Sequence, residues 1–138
     1  MGARTKARNR ALNMIFQADV LRQPLSEVLA TEGMRAVHEP ERRASWLYAE
    51  QIVQGVLAHQ EEIDEKITSS ANGWTLDRMP HVDRAILRVA AWEILFNEEV
   101  PTPVAIDEAV DLAKELSTED SGKFVNGVLG RIALLAEL

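Results

Sequence analysis

The segment "DRMPHVDRAILRVAAWEILF", residues 77–96, restricts the fold more than any other part of the chain. At 100° per residue its apolar positions run nearly the whole way round and leave only a narrow polar strip about Arg84 and Arg88. A helix apolar on almost every side has to be covered on almost every side, which places it in the middle of a bundle. Its start is marked near Pro80, since proline is tolerated in a first turn and aspartate is favoured near a helix N-terminus. Asp83 and Glu93 fall inside the apolar arc. An unpaired buried carboxylate is costly, so both are expected to have hydrogen-bond or charge partners.

The covering helices are legible in the rest of the chain. Period-2 alternation is nearly absent, and apolar residues at three- and four-residue spacing occur almost throughout, so the fold class is all-α. With 138 residues, 46% of them hydrophobic, and no repeat or long linker, residues 1–138 read as one domain with a real core. A first helix is predicted from about Thr5 to Arg22, burying Leu12, Ile15 and Phe16 and stopped by Pro24. Ser26 is a candidate cap for a short helix ending near Gly33. After "HEPE" a long periodic stretch carries Trp46, Ala49, Val53 and Val56, widened by Leu47, Ile52 and Leu57, and runs with at least one bend to the polar break "TSSANG". All three tryptophans are expected to be core or partly buried.

Two amphipathic segments follow. "VPTPVAIDEAVDLAKEL" groups Ile106, Ala109, Val110, Ala113 and Leu116 on one side and Asp107, Glu108, Asp111 and Glu115 on the other. The last helix is predicted from about Ser121 to Leu138, burying Val125, Val128, Leu129, Ile132 and Ala136. Short connections favour antiparallel neighbours.

Several function classes are disfavoured. The chain has no cysteine, so neither a disulfide framework nor a Cys-based zinc site is available, which suits a reducing cytoplasm. No apolar run approaches the roughly 18 residues of a membrane span, and "MGARTKARNR" lacks the apolar stretch of a secretory signal. His38, His59 and His81 are scattered, and the residues three before them, Arg35, Val56 and Arg78, are not the glutamates of a di-iron bundle. The carboxylate row on the penultimate helix suits a solvated face better than a hard cation. There is no glycine-rich phosphate loop; Gly127 and Gly130 are expected to permit close helix packing or the approach of a partner backbone. No catalytic activity, metal or cofactor is expected.

Charge points instead to a partner. The net charge of −7 divides unevenly, because Arg4, Lys6, Arg8 and Arg10 give the first ten residues +4 with no acid. The remaining 128 residues hold 11 basic and 22 acidic side chains, a charge of −11. A basic arm on an acidic body is a partner signal more than a fold signal. A second signal lies in "EDSGKFVNG", residues 119–127. Phe124 falls about 80° from the core direction of its helix by the 3.6-residue geometry. Lys123 points away from the core, and Asp120 and Arg131 share the side of Phe124. That ring is either a boundary core residue or a platform for stacking.

Three blocks, "ARNRALNMIFQAD", "DRMPHVDRAILRVAAWEIL" and "VPTPVAIDEAVDLAKELSTEDSGKFVNGVLGRIA", resemble the NusB family of bacterial transcription factors in order and spacing. The last block is the most specific, and residues 23 to 75 are the least diagnostic. The resemblance implies a fold of two small helical bundles without catalysis, which binds single-stranded boxA-type RNA of nascent ribosomal transcripts together with NusE, a small-subunit ribosomal protein. It further implies a role in helping RNA polymerase resist termination. By the same resemblance the RNA surface includes Arg4, Arg8 and Arg10 in the arm and Asp120, Ser121, Lys123 and Phe124 in the turn; charge adds Lys6 to the arm, and Asp120 and Asn126 are the polar candidates for reading bases. The acidic body, through Glu108 and Asp111, is the expected face for a basic NusE. The arm is sparse, which predicts RNA binding that is weak alone and strengthened by NusE. Two other readings are weighed. NusB-like domains occur fused ahead of RNA methyltransferases, for which no segment of sufficient size is present, and a homodimeric interaction module without direct RNA binding is the alternative.

Overall fold

The protein was analysed as a computed structural model that describes residues 2–137. Among these residues there are seven α-helices and no strand: α1 Ala3–Leu21, α2 Leu25–Ala36, α3 Arg43–Ala58, α4 Gln60–Ser70, α5 His81–Phe96, α6 Thr102–Leu116 and α7 Glu119–Ala136. Short 3-10 turns, Pro40–Arg42 and Leu76–Arg78, precede α3 and α5. Among the described residues no helix is long and apolar enough to cross a membrane.

Helices α1, α2 and α3 pack on one another, as do α4, α6 and α7 around α5, and α5 also lies against α1 and α3. The result is two small bundles that share α5. The apolar circumference of α5 is spent on this double role: Ala85, Ile86, Leu87, Val89, Ala90, Ala91 and Trp92 are all buried. Its polar strip is spent too. Arg88 holds Asp64 of α4 through two parallel bonds, Nε to Oδ1 at 2.9 Å and Nη2 to Oδ2 at 3.1 Å. Arg84 reaches Asp19 of α1 at 2.8 Å and the Leu76 carbonyl at 2.8 Å. These two arginines pin α5 to a helix of each bundle.

One glycine sets how closely α3 can approach α5. A Cβ on Gly55 would lie 1.9 Å from Nε1 of the buried Trp92, so only hydrogen fits there. The expected bend in the 43–70 stretch falls at His59, where helical dihedrals are lost between α3 and α4. The imidazole stacks on Phe96 at 3.9 Å between centroids. The "TSSANG" break contains Asn72 and Gly73 at positive φ, 51° and 86°, which reverse the chain after α4.

Several expectations are corrected. α2 starts at Leu25 with Pro24, not Ser26, in the cap position, and it continues past Gly33 to Ala36. On α6 the buried residues are Ala105, Ala109, Leu112 and Ala113, whereas Leu116 is exposed. The buried face is rotated from the apolar stripe, with both α5 and α7 packed on α6 and Leu116 at the helix's last position. Leu47 and Ala136 are exposed, and the expected end of the last helix, Leu138, lies outside the described residues. Gly127 and Gly130 face open space, with nothing within 4 Å of a Cβ on either, so neither serves close packing inside this chain. Trp46 and Trp92 are buried, but Trp74 is 50% exposed.

Candidate nucleic-acid interface

The basic N-terminal residues are not a free arm. No helix breaker interrupts residues 3–21, so α1 begins at Ala3 and carries all four cations in its first two turns. Helical spacing puts Arg8 on the same stripe as Leu12 and Ile15, and the residue is 3% exposed. Its Nε donates to Glu93 Oε1 at 2.8 Å, and its Nη1 lies 3.5 Å from Glu108 Oε1. The Tyr48 hydroxyl donates to the other oxygen of Glu93 and accepts from Asn97 Nδ2 at 3.1 Å. Burial works to lower the Arg8 pKa, but the bond and charge of Glu93 outweigh it and hold the guanidinium above its ordinary value. Burial and the bond to Glu93 likewise push the Tyr48 phenol well up. Arg8 is therefore corrected from a phosphate-facing residue to the cation of a buried, closed network.

The other three cations lie nearer the surface. Arg4 donates to Glu99 at 3.2 Å and sits 4.9 Å over the Tyr48 ring. Arg10 donates to Ser45 at 3.1 Å and lies 5.4 Å over Trp46. Lys6 is exposed and, among the described residues, makes no hydrogen bond or ion pair. Glu108 is also corrected: it turns toward α1, accepting from Thr5 Oγ1 at 2.9 Å, and leaves Asp111 as the exposed carboxylate of the pair.

The second cluster lies at the other end of α5. Thr118 caps α7, its side-chain oxygen accepting from the Ser121 amide at 3.0 Å. The cap sets the helix start at Glu119, two residues earlier than predicted, and turns Ser121 inward. Ser121 is 8% exposed and its hydroxyl donates to Asp83 Oδ2 at 3.0 Å. Ser121 therefore serves first to hold Asp83. Burial pushes the Asp83 carboxyl above the ordinary range, against the pull of the Ser121 and Ser117 hydroxyls. Its Oδ1 is buried with no hydrogen-bond partner.

Phe124 is half-buried and meets Trp74 edge to face, with centroids 6.1 Å apart at 66°. The two rings form an aromatic corner over a groove of about 200 Å³ that Asp83, Asp120 and Ser121 also line. Lys123 and Asn126 are exposed on the neighbouring turns of α7. The fold thus gathers Asp120, Ser121 and Phe124, and adds Trp74 and Asp83, which the RNA assignment from sequence lacked. A bare tryptophan beside the polar "TSSANG" loop was the one signal for Trp74. The basic turns of α1 are not gathered there. Asp83 and Glu93 mark the two clusters on α5, and their ten-residue separation is about 15 Å of helix rise.

A helical chain of this architecture, with its aromatic corner at the start of the last helix, matches the NusB family model over residues 5–134. The chain belongs to the NusB family. It is 61% identical over 133 residues to the transcription antitermination protein NusB of Leifsonia xyli subsp. xyli, covering 96% of this chain and 92% of that one. Among solved structures it is similar to NusB of T. maritima, with TM-score 0.79 and 33% identity over 95% of this chain and 90% of that chain. It is also similar to a chain in a structure of the antitermination factors NusB and NusE in complex with double-stranded RNA, with TM-score 0.82 and 29% identity over 98% of each chain. NusB is a family of transcription antitermination proteins, not of enzymes.

Proposed function

We propose that this member of the NusB family is a cytoplasmic antitermination factor that binds single-stranded boxA-type RNA together with NusE and so helps an RNA polymerase complex pass terminators. The observation that carries the reading is the Trp74–Phe124 corner, an exposed ring meeting a half-buried one beside Lys123 in a chain of this family. Exposed rings offer faces to unstacked bases, while nearby cations take phosphates. Lys6, Arg4 and Arg10 supply the sequence-independent attraction, because each neutralised phosphate releases counterions. The strand runs between the two clusters, a path of the order of 15 Å along α5. NusE meets the exposed acids of α6, Asp107, Asp111 and Glu115, with Glu108 held back by Thr5 and Arg8. With only three accessible cations in α1, binding without NusE is weak.

The test is a salt titration of binding to a boxA-like single strand in the presence of NusE, with a duplex of the same sequence alongside. Phe124→Ala is expected to weaken single-strand binding by about 1–3 kcal/mol at unchanged salt slope. Lys6→Ala is expected to lower the slope by about 0.7. A Phe124→Ala protein that melts earlier yet binds RNA as before would make the ring a core-edge residue and refute the reading. Equal or tighter binding of the duplex would refute the single-strand assignment.

A further inference from the structure

The groove under the aromatic corner holds a feature that RNA stacking alone does not use. Asp83 is 3% exposed, and while Oδ2 takes the Ser121 hydroxyl, Oδ1 is buried without any partner. Leaving a buried carboxylate oxygen unpaired is costly, and such atoms are few in native proteins. The opposite end of α5 shows what this fold does with a carboxylate needed only for structure. There Glu93 receives Arg8 on one oxygen and Tyr48 on the other.

The lining tells what kind of group the free acceptor suits. Two carboxylates, Asp83 and Asp120, face the groove, and no lysine or arginine lines it. A phosphate is repelled there. A flat neutral ring is accommodated: Trp74 and Phe124 meet at 66°, so a ring stacked on one is met edge-on by the other, an arrangement aromatic groups favour. We propose that this corner takes one unstacked amino-bearing nucleobase, adenine, cytosine or guanine, stacked on Trp74 or Phe124 with an amino N–H donated to Asp83 Oδ1. Oδ1 is closed to water, so the base reaches it by displacing a lining side chain, for which Met79 is the most adaptable. The phosphate stays outside, on the exposed Lys123 side. The inference rests on the RNA-binding reading above and gives that site its base preference.

The probes are two single-stranded octamers, one of adenosine and one of nebularine, which lacks only the 6-amino group. Each is titrated into the full-length protein at several salt concentrations. Quenching of tryptophan fluorescence reports occupancy, since Trp46 and Trp92 are buried and Trp74 is exposed. Wild type is expected to bind adenosine roughly tenfold more tightly than nebularine, the worth of a hydrogen bond to a charged group. Asp83→Asn, which replaces the acceptor by a second donor or a repositioned amide, is expected to bring the ratio close to one at unchanged salt slope. Equal wild-type affinity for the two octamers, with the usual salt dependence, would overturn the inference and leave RNA binding standing. A tenfold ratio retained in Asp83→Asn would overturn the assignment to Asp83. Binding of neither octamer, at concentrations high enough to reveal the weak affinity expected without NusE, would sink both readings. Because the wild-type ratio alone can refute the idea, an Asp83→Asn protein that failed to fold would not shelter it.

Discussion

The two ends of α5 treat the same problem in opposite ways. Each carries one carboxylate within an apolar arc, Glu93 toward the C-terminal end and Asp83 toward the N-terminal end, and both are nearly fully buried. Around Glu93 the chain spends a cation, a phenol and an amide, and no oxygen of the carboxylate is left without a partner. Around Asp83 it spends the Ser121 hydroxyl, with that of Ser117 bonded to it, leaves the second oxygen unpaired and sets two rings beside it at the surface. The first arrangement closes the fold. The second leaves recognition capacity unused by the protein itself, which is how a binding site differs physically from a structural network of the same composition.

The largest expected effect lies at the closed end. Arg8→Ala strands the Glu93 charge and should cost about 3–5 kcal/mol in denaturant unfolding, the usual result of breaking one side of a buried ion pair. Neutralising both partners, in Arg8→Met with Glu93→Gln, should cost less than Arg8→Ala alone. If Arg8→Ala were nearly neutral, the network would not be the fastening described here.

At the open end the effects should be smaller. Thr118→Ala removes the cap of α7 and should cost about 1 kcal/mol, and by loosening Ser121 it should also weaken single-strand RNA binding. Unchanged affinity would separate the cap from the site. The smallest effect is a pH dependence. The Asp83 pKa is raised in the folded protein by burial, so its ionised form opposes folding. The protonated form carries no such cost, so stability relative to Asp83→Asn should rise as pH falls through the raised pKa toward the ordinary carboxylate range. A parallel pair of stability profiles for the two proteins would show that the carboxylate is ionised without penalty.

The sequence made the framework legible because helical periodicity reports which residues leave water. That is why Leu12, Ile15, Val125, Leu129 and the whole circumference of α5 were identified, and why Asp83 and Glu93 could be marked for partners. Periodicity does not report which neighbour a face meets. Arg8 reads as arm because four cations in ten residues make one charge run, although its spacing from Leu12 and Ile15 places it on the buried stripe. Periodicity puts Leu116 in the core because α6 reads as a helix with a single apolar face, whereas its cover comes from both α5 and α7 and stops short of its last residue. Trp74 follows a loop without period, so nothing local tied it to Phe124 fifty residues later. The EDSGKF turn was legible by resemblance, but that Ser121 faces inward and Lys123 outward depends on the Thr118 cap, a matter of two residues in where a helix begins.

The sharing of α5 between bundles has a consequence for motion. Neither bundle can come apart without uncovering the same 16-residue helix, so the two open as one unit and local fluctuation is left to the outer helices and the loops. A base held at the first turn of α5 grips the element whose release both bundles require. Occupancy of one small corner would therefore slow the opening of the entire molecule, and the protein would be at its most rigid while it is attached to its transcript.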